Sequence, residues 1–478
     1  MNPFYITTTL PYVNASPHIG FALEIVQADA MARFYRAQGR DVIFNTGTDE
    51  HGQKIYEKAL ENGQEPQEYV DEYAAKFDAL KEALNLSYTH FVRTSNPKHI
   101  EAAQAFWKRC LENGDIYKDR YNVKYCVGCE LEKTESELVD DRCPVHPNID
   151  LELRDEENYF FRFSNYQQPL LDLYSSNDQF VVPVHRQKEI RTFIEAGPKD
   201  FSISRLKEKM PWGVPVPGDD EHVMYVWFDA LINYISTLGW PDDTETFKRF
   251  WPGVQVAGKD NLRQQAAMWQ AMLLSAGLPT SKQVFIHGFI TADGQKMSKS
   301  LGNVVDPFEL VDEFGTDAVR YYLLREIPSW EDGDFSRARM EERYAELANQ
   351  LGNLVSRVAA MSNKYFEGKL DVKDVNWLKQ NAELEGMMAE FNYKAYVDYV
   401  FQAVKQANEI VDKEEPFKTV KTDPIAAKKT LSDVAEIIRW VGRSLKPILP
   451  QASSAILDRY QADGTVAQGD SLFPRRDA

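Results

Sequence analysis

The chain has 478 residues, 43% of them hydrophobic, a formal net charge of -18 and four cysteines. That length and apolar content suit about three domains with their own cores, and the charge excludes nucleic-acid binding through an overall basic surface, leaving only local basic patches for it. No apolar run approaches the roughly twenty residues that span a bilayer, and the N-terminus begins on strand-like sequence without a basic and apolar leader, so a soluble, cytoplasmic protein with no membrane partner is expected.

Residues 1–115 alternate strand and helix. Phe4 to Leu10 reads as an extended run, a helix with apolar Ala22, Ile25, Val26 and Met31 follows His18, Val42-Ile43-Phe44 is a second strand, and helical stretches run from Tyr69 to Leu84. This is the first half of a doubly wound parallel sheet. Pro17-His18-Ile19-Gly20 puts an imidazole and a close backbone approach at a helix N-terminus, where amides and the helix dipole favour phosphate. A lone histidine there is more often structural. Asp49, Glu50 and His51 follow the second strand at its carboxyl end, where they either converge on a ligand or merely cap a helix.

Residues 116–222 change texture to short strand-like pieces, among them Tyr121 to Tyr125 and Tyr159 to Arg162. Cys126-Val127-Gly128-Cys129 and Cys143-Pro144-Val145-His146 are two paired corners whose thiolates and imidazole suit a tetrahedral structural Zn²⁺ with no open position. The alternatives are scattered reduced cysteines, or a redox pair that lacks its usual strand and helix frame. Residues 223–290 return to the sheet with strand-like Val254-Gln255-Val256, a helix from Gln264 to Leu274 and a strand from Gln283 to Ile286.

Residues 291–340 form a connecting region. Asp293-Gly294 is a turn signal, and Lys296 and Lys299 are expected on a mobile loop just past the carboxyl end of the preceding strand. Two ammonium groups so close repel unless a polyanion such as a triphosphate lies between them, although an arbitrary pair of this spacing is usually a solvated basic loop. Thr316-Asp317 opens a further helix. From 341 to 478 the pattern is helical, with Tyr396, Val400, Phe401, Val404, Ala407 and Val411 at helical spacing and a late concentration of Lys and Arg from Arg357 to Lys446.

His18-Ile19-Gly20 and Lys296-Met297-Ser298-Lys299-Ser300 together resemble the two signatures of class I aminoacyl-tRNA synthetases. Leu10-Pro11-Tyr12-Val13-Asn14, Gly47 to Gly52, Tyr225 to Ala230 and Gly258-Lys259-Asp260 look like the methionyl-tRNA synthetase branch of that family. The resemblance covers nearly the whole chain. It implies a Rossmann-like catalytic core, a zinc-binding connective insert and a C-terminal helical bundle that reads the anticodon. The implied reaction is ATP-dependent activation of L-methionine to its adenylate, followed by transfer to tRNA(Met). The implied catalytic residues are His18, Lys296 and Lys299, and the implied ATP site adds Gly20, Gly258 and Asp260, with Mg²⁺ accompanying the nucleotide. Methionine is implied at Leu10, Tyr12, Asp49, Trp227, Ala230, Leu231, Tyr234, Ile286 and His287, and the anticodon at Asn353, Arg357 and Phe417. The metal falls to Cys126, Cys129, Cys143 and His146, and a monomer is expected because no oligonucleotide-binding domain follows the bundle.

The family pattern is departed from in three places: Phe21 in place of a second signature histidine, Gln264-Gln265 in place of an aromatic and a histidine after Gly258-Lys259-Asp260, and Phe417 in place of tryptophan. Synthetases for valine, isoleucine and leucine carry a larger editing insert than the hundred or so residues here. A nucleotidylyltransferase and an inactive RNA-binding relative are the rivals from other classes. The first leaves the zinc corners and the helical third unexplained, and methionine-dependent pyrophosphate exchange with tRNA charging separates all three.

Overall fold

The protein is described from a computed structural model that covers residues 3–129, 131–133, 137–297, 302–372, 382–474 and 476. Its centre is a six-stranded sheet: β1 (Phe4–Thr8), β2 (Val42–Thr48), β3 (His90–Arg93), β4 (Val181–Val182), β5 (Val254–Gly258) and β6 (Gln283–His287). All pairings are parallel and the order is β3-β2-β1-β5-β6-β4. Every residue of β1 and of β5 is buried, as expected where helices cover both faces of a parallel sheet. The order winds outward in both directions from the β1/β5 pair. Their following loops therefore part and leave a crevice at the carboxyl ends, where doubly wound sheets bind ligands. The expected fold class is thus present, with two additions. β3 and β4 are strands of four and two residues, too short to show a period, and β4 comes from within 116–222.

Helix α1 (Ile19–Ala37) is buried almost all round, including the whole run Ala22 to Ala32, because it is wedged between the sheet, the helix Thr316–Arg325 and the C-terminal helices. The expected helix from Gln264 to Leu274 is split: Gln264–Met268 is π-helical and Trp269–Ser275 is α-helical. In the stretch 116–222 short strands such as Phe201–Ser202 and Ser204–Leu206 are present, but the two pieces singled out in the sequence fall in one long hairpin, Ile116–Cys126 with Glu152–Phe161, paired from Ile116 opposite Phe161 to Tyr125 opposite Glu152. Runs such as Lys118-Asp119-Arg120 and Asp155-Glu156-Glu157 hide it from any apolar alternation.

The signature stretch also differs from expectation. Ile290–Ala292 and Gln295–Lys296 form a hairpin around Asp293 and Gly294, whose φ of 51° and 74° are those of a type I′ turn. Gly333–Phe335 pairs along the other edge of Ile290–Ala292, and Asp334 accepts hydrogen bonds from the Gly294 amide and the Thr291 hydroxyl, each at 2.7 Å. Lys296 therefore begins in a paired strand rather than a free loop. Lys299 lies outside the described residues.

The helices from Arg337 onward share one hydrophobic core with α1 and one face of the sheet (Phe4, Ile6, Phe44, Val256, Phe285), while the other face (Tyr5, Ala257, Val284, Ile286) shares another with the base of the hairpin. Arg320 is the joint. Fully buried, it donates to the carbonyls of Leu84, Pro447 and Ile448 at 2.9–3.0 Å and pairs with Asp29 at 2.8 Å.

Candidate functional site

His18 caps α1 with its own side chain: Nδ1 accepts from the Gly20 amide at 3.1 Å. A Cβ on Gly20 would stand 2.9 Å from the imidazole, so the glycine is what lets the ring lie across the helix end. Desolvation lowers the pKa of His18, and with Nδ1 accepting, the neutral ring keeps its proton on Nε2.

Two adjoining cavities fill the crevice. One, of about 550 Å³, runs from His18 and Gly20 past Glu24 to Gly258, Asp260, His287 and Met297. The other, of about 460 Å³, lies between Leu10, Tyr12, Asp49, Trp227 and Gln264. Tyr12, Asn14 and Asp260 line both, so the two are one cleft with a polar junction. Asp260 is exposed there.

Of the residues expected around methionine, Leu10, Tyr12, Asp49 and Trp227 are brought together around the smaller cavity. Asp49 is buried just past the end of β2, and its backbone bonds with Pro11 and Val13 hold it against the segment that leaves β1. Ala230, Leu231, Tyr234 and Ile286 are buried and do not line that cavity; the last three pack in the core on that face of the sheet. His287 lines the larger cavity instead.

Sequence reasoning missed the partner of His287. Its Nε2 meets Glu24 at 2.9 Å and its Nδ1 meets the Gly288 carbonyl at 2.8 Å, so both ring nitrogens face acceptors, an arrangement that favours the protonated ring. Burial pulls the pKa of His287 down, but the Glu24 carboxylate and the Gly288 carbonyl outweigh it and the net shift is upward. Glu24 also accepts from the amide and hydroxyl of Thr9 at 2.8 and 2.5 Å, tying α1 to the exit of β1. A carboxylate in the middle of an all-buried helix was the signal available, because such a charge must find partners.

Cys126, Cys129, Cys143 and His146 converge at the end of the long hairpin, with all ligand atoms within 4.8 Å of one another. Cys129 Sγ lies 3.5 Å from Cys143 Sγ and 3.2 Å from His146 Nδ1, and Cys126 Sγ lies 3.8 Å from the same nitrogen. Ligands about 2.0–2.3 Å from a tetrahedral ion stand at such separations. The set therefore fits one metal ion. Burial resists ionisation of Cys143, yet the His146 amide and the Cys129 thiol outweigh it and lower its pKa, while burial pushes Cys129 up to about 12. Gly128 has no room for a Cβ beneath His146. Gly128, Cys129, Val145 and His146 also wall the cavity that holds Asp49 and Trp227.

At the far end, Asn353 and Arg357 lie one turn apart on the helix Asn353–Phe366. Arg357 bonds to Asp412 at 2.8 Å on the helix Tyr393–Glu414, which leads through Glu415, at φ 43°, into Phe417. Asn353 and Phe417 are exposed, Phe417 by 40%. Of the late basic residues, Arg439 is buried and bonds to the Tyr460 carbonyl. The departures resolve locally: Phe21 packs edge-on against Phe77 at 5.2 Å beside the larger cavity, and Gln265 accepts from Gln255 within the core at 2.9 Å. Among the described residues no helix is long and apolar enough to cross a membrane.

A family model described as tRNA synthetases class I (M) matches residues 4–150 and 128–359. A methionine–tRNA ligase of Thermosynechococcus vestitus is 47% identical over 476 residues, covering 95% of this chain and 90% of that protein, and one of Brucella suis is 44% identical over 470 residues, covering 95% and 91%. The Mycobacterium tuberculosis methionyl-tRNA synthetase in complex with methionyl-adenylate superposes with a TM-score of 0.94 at 36% identity over 99% of this chain and 100% of that one. The free form of that enzyme gives 0.86 at 32% identity over 100% and 99%.

Proposed function

The chain belongs to the class I tRNA synthetases and, within them, to the methionine–tRNA ligases, and from that premise we propose how its crevice carries the reaction. It is an ATP-dependent ligase that activates methionine as the adenylate and charges tRNA. In the first step a carboxylate oxygen of methionine bonds to the α-phosphorus of ATP and pyrophosphate leaves. In the second, a ribose hydroxyl of the tRNA's terminal adenosine bonds to the acyl carbon and AMP leaves. The protein does little covalent chemistry, so positioning and charge carry the rate.

ATP is assigned to the larger cavity. His18, its Nδ1 occupied by Gly20, offers Nε2–H to a phosphate oxygen beside the N-terminus of α1. Lys296 and Lys299 stabilise the charge that collects on the leaving pyrophosphate, and Mg²⁺ neutralises the triphosphate it travels with. Asp260, beside the bare Cα of Gly258, takes the ribose hydroxyls at the junction. Methionine is assigned to the smaller cavity: its ammonium to Asp49, its thioether to Leu10, Tyr12 and Trp227, over a floor of Ala230, Leu231, Tyr234 and Ile286. His287, with Glu24, borders the nucleotide side.

Cys126, Cys129, Cys143 and His146 would hold a structural Zn²⁺ with four protein ligands, and the metal would then brace the cavity wall rather than supply chemistry. Asn353, Arg357 and Phe417 read the anticodon of tRNA(Met) on the bundle of residues 341–478, with 1–115 and 223–290 as the catalytic halves, 116–222 as the insert and 291–340 as the connection. We infer a cytoplasmic monomer, and its free thiols suit a reducing compartment.

The observation that carries this assignment is the single cleft with a phosphate-type helix terminus at one end, a buried carboxylate among aromatics at the other, and Asp260 between them. ATP–pyrophosphate exchange across the amino acids, with tRNA charging, tests it. Exchange should depend on methionine, and exchange driven equally by other amino acids would overturn it.

A further inference from the structure

His51, Asp229 and His99 form a buried ionisable cluster that neither cavity uses. Asp229, fully buried, meets His51 Nδ1 at 2.7 Å and His99 Nε2 at 2.9 Å, and His99 Nδ1 meets the Ser236 hydroxyl at 2.9 Å. Burial opposes ionisation of Asp229, but the two imidazoles more than offset it and hold its carboxyl down at about 2. The other charged side chains nearby are already engaged: Glu50 is held by Arg93 and Ser95. His51 also stands edge-on to Trp212 at 5.5 Å.

The three residues come from three elements. His51 lies two residues beyond Asp49, Asp229 lies two residues beyond Trp227, and His99 stands on the helix Pro97–Glu112. The helix that carries Trp227 is only Val226–Ala230, with no side-chain cap. One such turn cannot hold its own orientation in water, so tertiary bonds must set it. Its one acidic side chain is the group gripped from both sides.

We propose that Asp229, clamped by His51 and His99, is a positioning residue for methionine activation, setting the distance between the Trp227 wall and the Asp49 carboxylate. The proposal rests on the reading that Asp49 and Trp227 contact methionine. Asp229 itself touches no substrate. It acts because the backbone joining it to Trp227 and the backbone joining His51 to Asp49 share one buried carboxylate.

Asp229→Asn keeps the shape but turns an amide N–H toward one imidazole N–H. In ATP–pyrophosphate exchange by the full-length enzyme it should raise the methionine KM about tenfold or more, the loss expected from one charge-assisted hydrogen bond, with the ATP KM and kcat changed by less than about threefold. In an Asp49→Ala background the same substitution should cost clearly less, because residues acting through one another are not additive. His99→Leu should reproduce the effect, and His99→Gln, which restores a donor at the Nε2 position, should recover most of it. Equal changes in both KM values and kcat, or full additivity with Asp49→Ala, would mean a general structural role and overturn the proposal. If Asp229→Asn does not fold, the His99 pair decides: equal behaviour of Leu and Gln overturns it, recovery by Gln alone supports it. An unchanged methionine KM in Asp49→Ala would instead fail the underlying site assignment.

Discussion

Replacing Glu24 by Gln removes the counter-charge from a buried imidazolium while hardly changing shape. In the native chain Glu24 receives the Thr9 amide, the Thr9 hydroxyl and His287 Nε2–H. The amide keeps one oxygen for Thr9 and sets an N–H against His287, donor facing donor. The charge-assisted bond lost is worth about 1.5–3 kcal/mol, and stranding a buried charge altogether costs about 3–5 kcal/mol. His287 can shed its proton, so a loss of about 2–3 kcal/mol is expected at pH 6. The pH dependence follows from the raised folded-state pKa of His287. That group contributes stability fully below its unfolded pKa of about 6.5, and the contribution fades as pH rises through the folded value. The gap between wild type and Glu24→Gln in urea unfolding should therefore be widest near pH 6 and narrow toward pH 9, and NMR should show the His287 pKa falling in the variant. A gap that is flat or widens with pH would refute the imidazolium assignment.

Elemental analysis of protein purified without chelator should find close to one zinc per chain, and Cys143→Ala, which removes a proposed ligand that holds Cys129 and His146 in the wall of the smaller cavity, should raise the methionine KM more than the ATP KM. Phe417→Ala removes an exposed face on which a base can stack, worth about 1–3 kcal/mol; charging should need more tRNA while pyrophosphate exchange is unchanged, and a defect in exchange alone would count against the anticodon assignment. Lys299→Ala should slow pre-steady-state adenylate formation about a hundred- to thousandfold, about 3–4 kcal/mol, with a smaller change in ATP affinity, and Lys282→Ala, outside the signature, should change little. Near-normal adenylation by the Lys299 variant would remove that lysine from the phosphate chemistry.

What could be read from the sequence was whatever has a local signature. His18 and Gly20 were legible because strand, turn and helix follow one another within a few residues, and the metal set because its spacing is itself the constraint. The Asp293-Gly294 turn was legible too, though not the hairpin it closes. Pairings that only tertiary structure creates were not legible: Glu24 and His287 are 263 positions apart, and Asp229 has its partners 178 and 130 positions away. β3 and β4 fall below the length at which a period shows. Nor can a list of apolar residues separate Trp227, which lines the cavity, from Tyr234 and Ile286, which are packed in the core, because burial on one face or all round depends on what packs behind.

Arg320 has a consequence for how the molecule handles a long substrate. Its guanidinium fastens the loop carbonyls at 447 and 448 to Asp29 on the same helix whose first residues cradle the proposed phosphate site. On the proposed reading that the bundle meets the anticodon, both ends of a bound tRNA are gauged by one calliper whose arms share a buried pivot. Cutting the chain near 340 would not free a catalytic half; it would bare a buried ion pair and the apolar flank of α1, and such a fragment should come out aggregated. Under the proposed anticodon assignment, recognition is therefore better altered at exposed Asn353 and Phe417 than by exchanging the bundle whole.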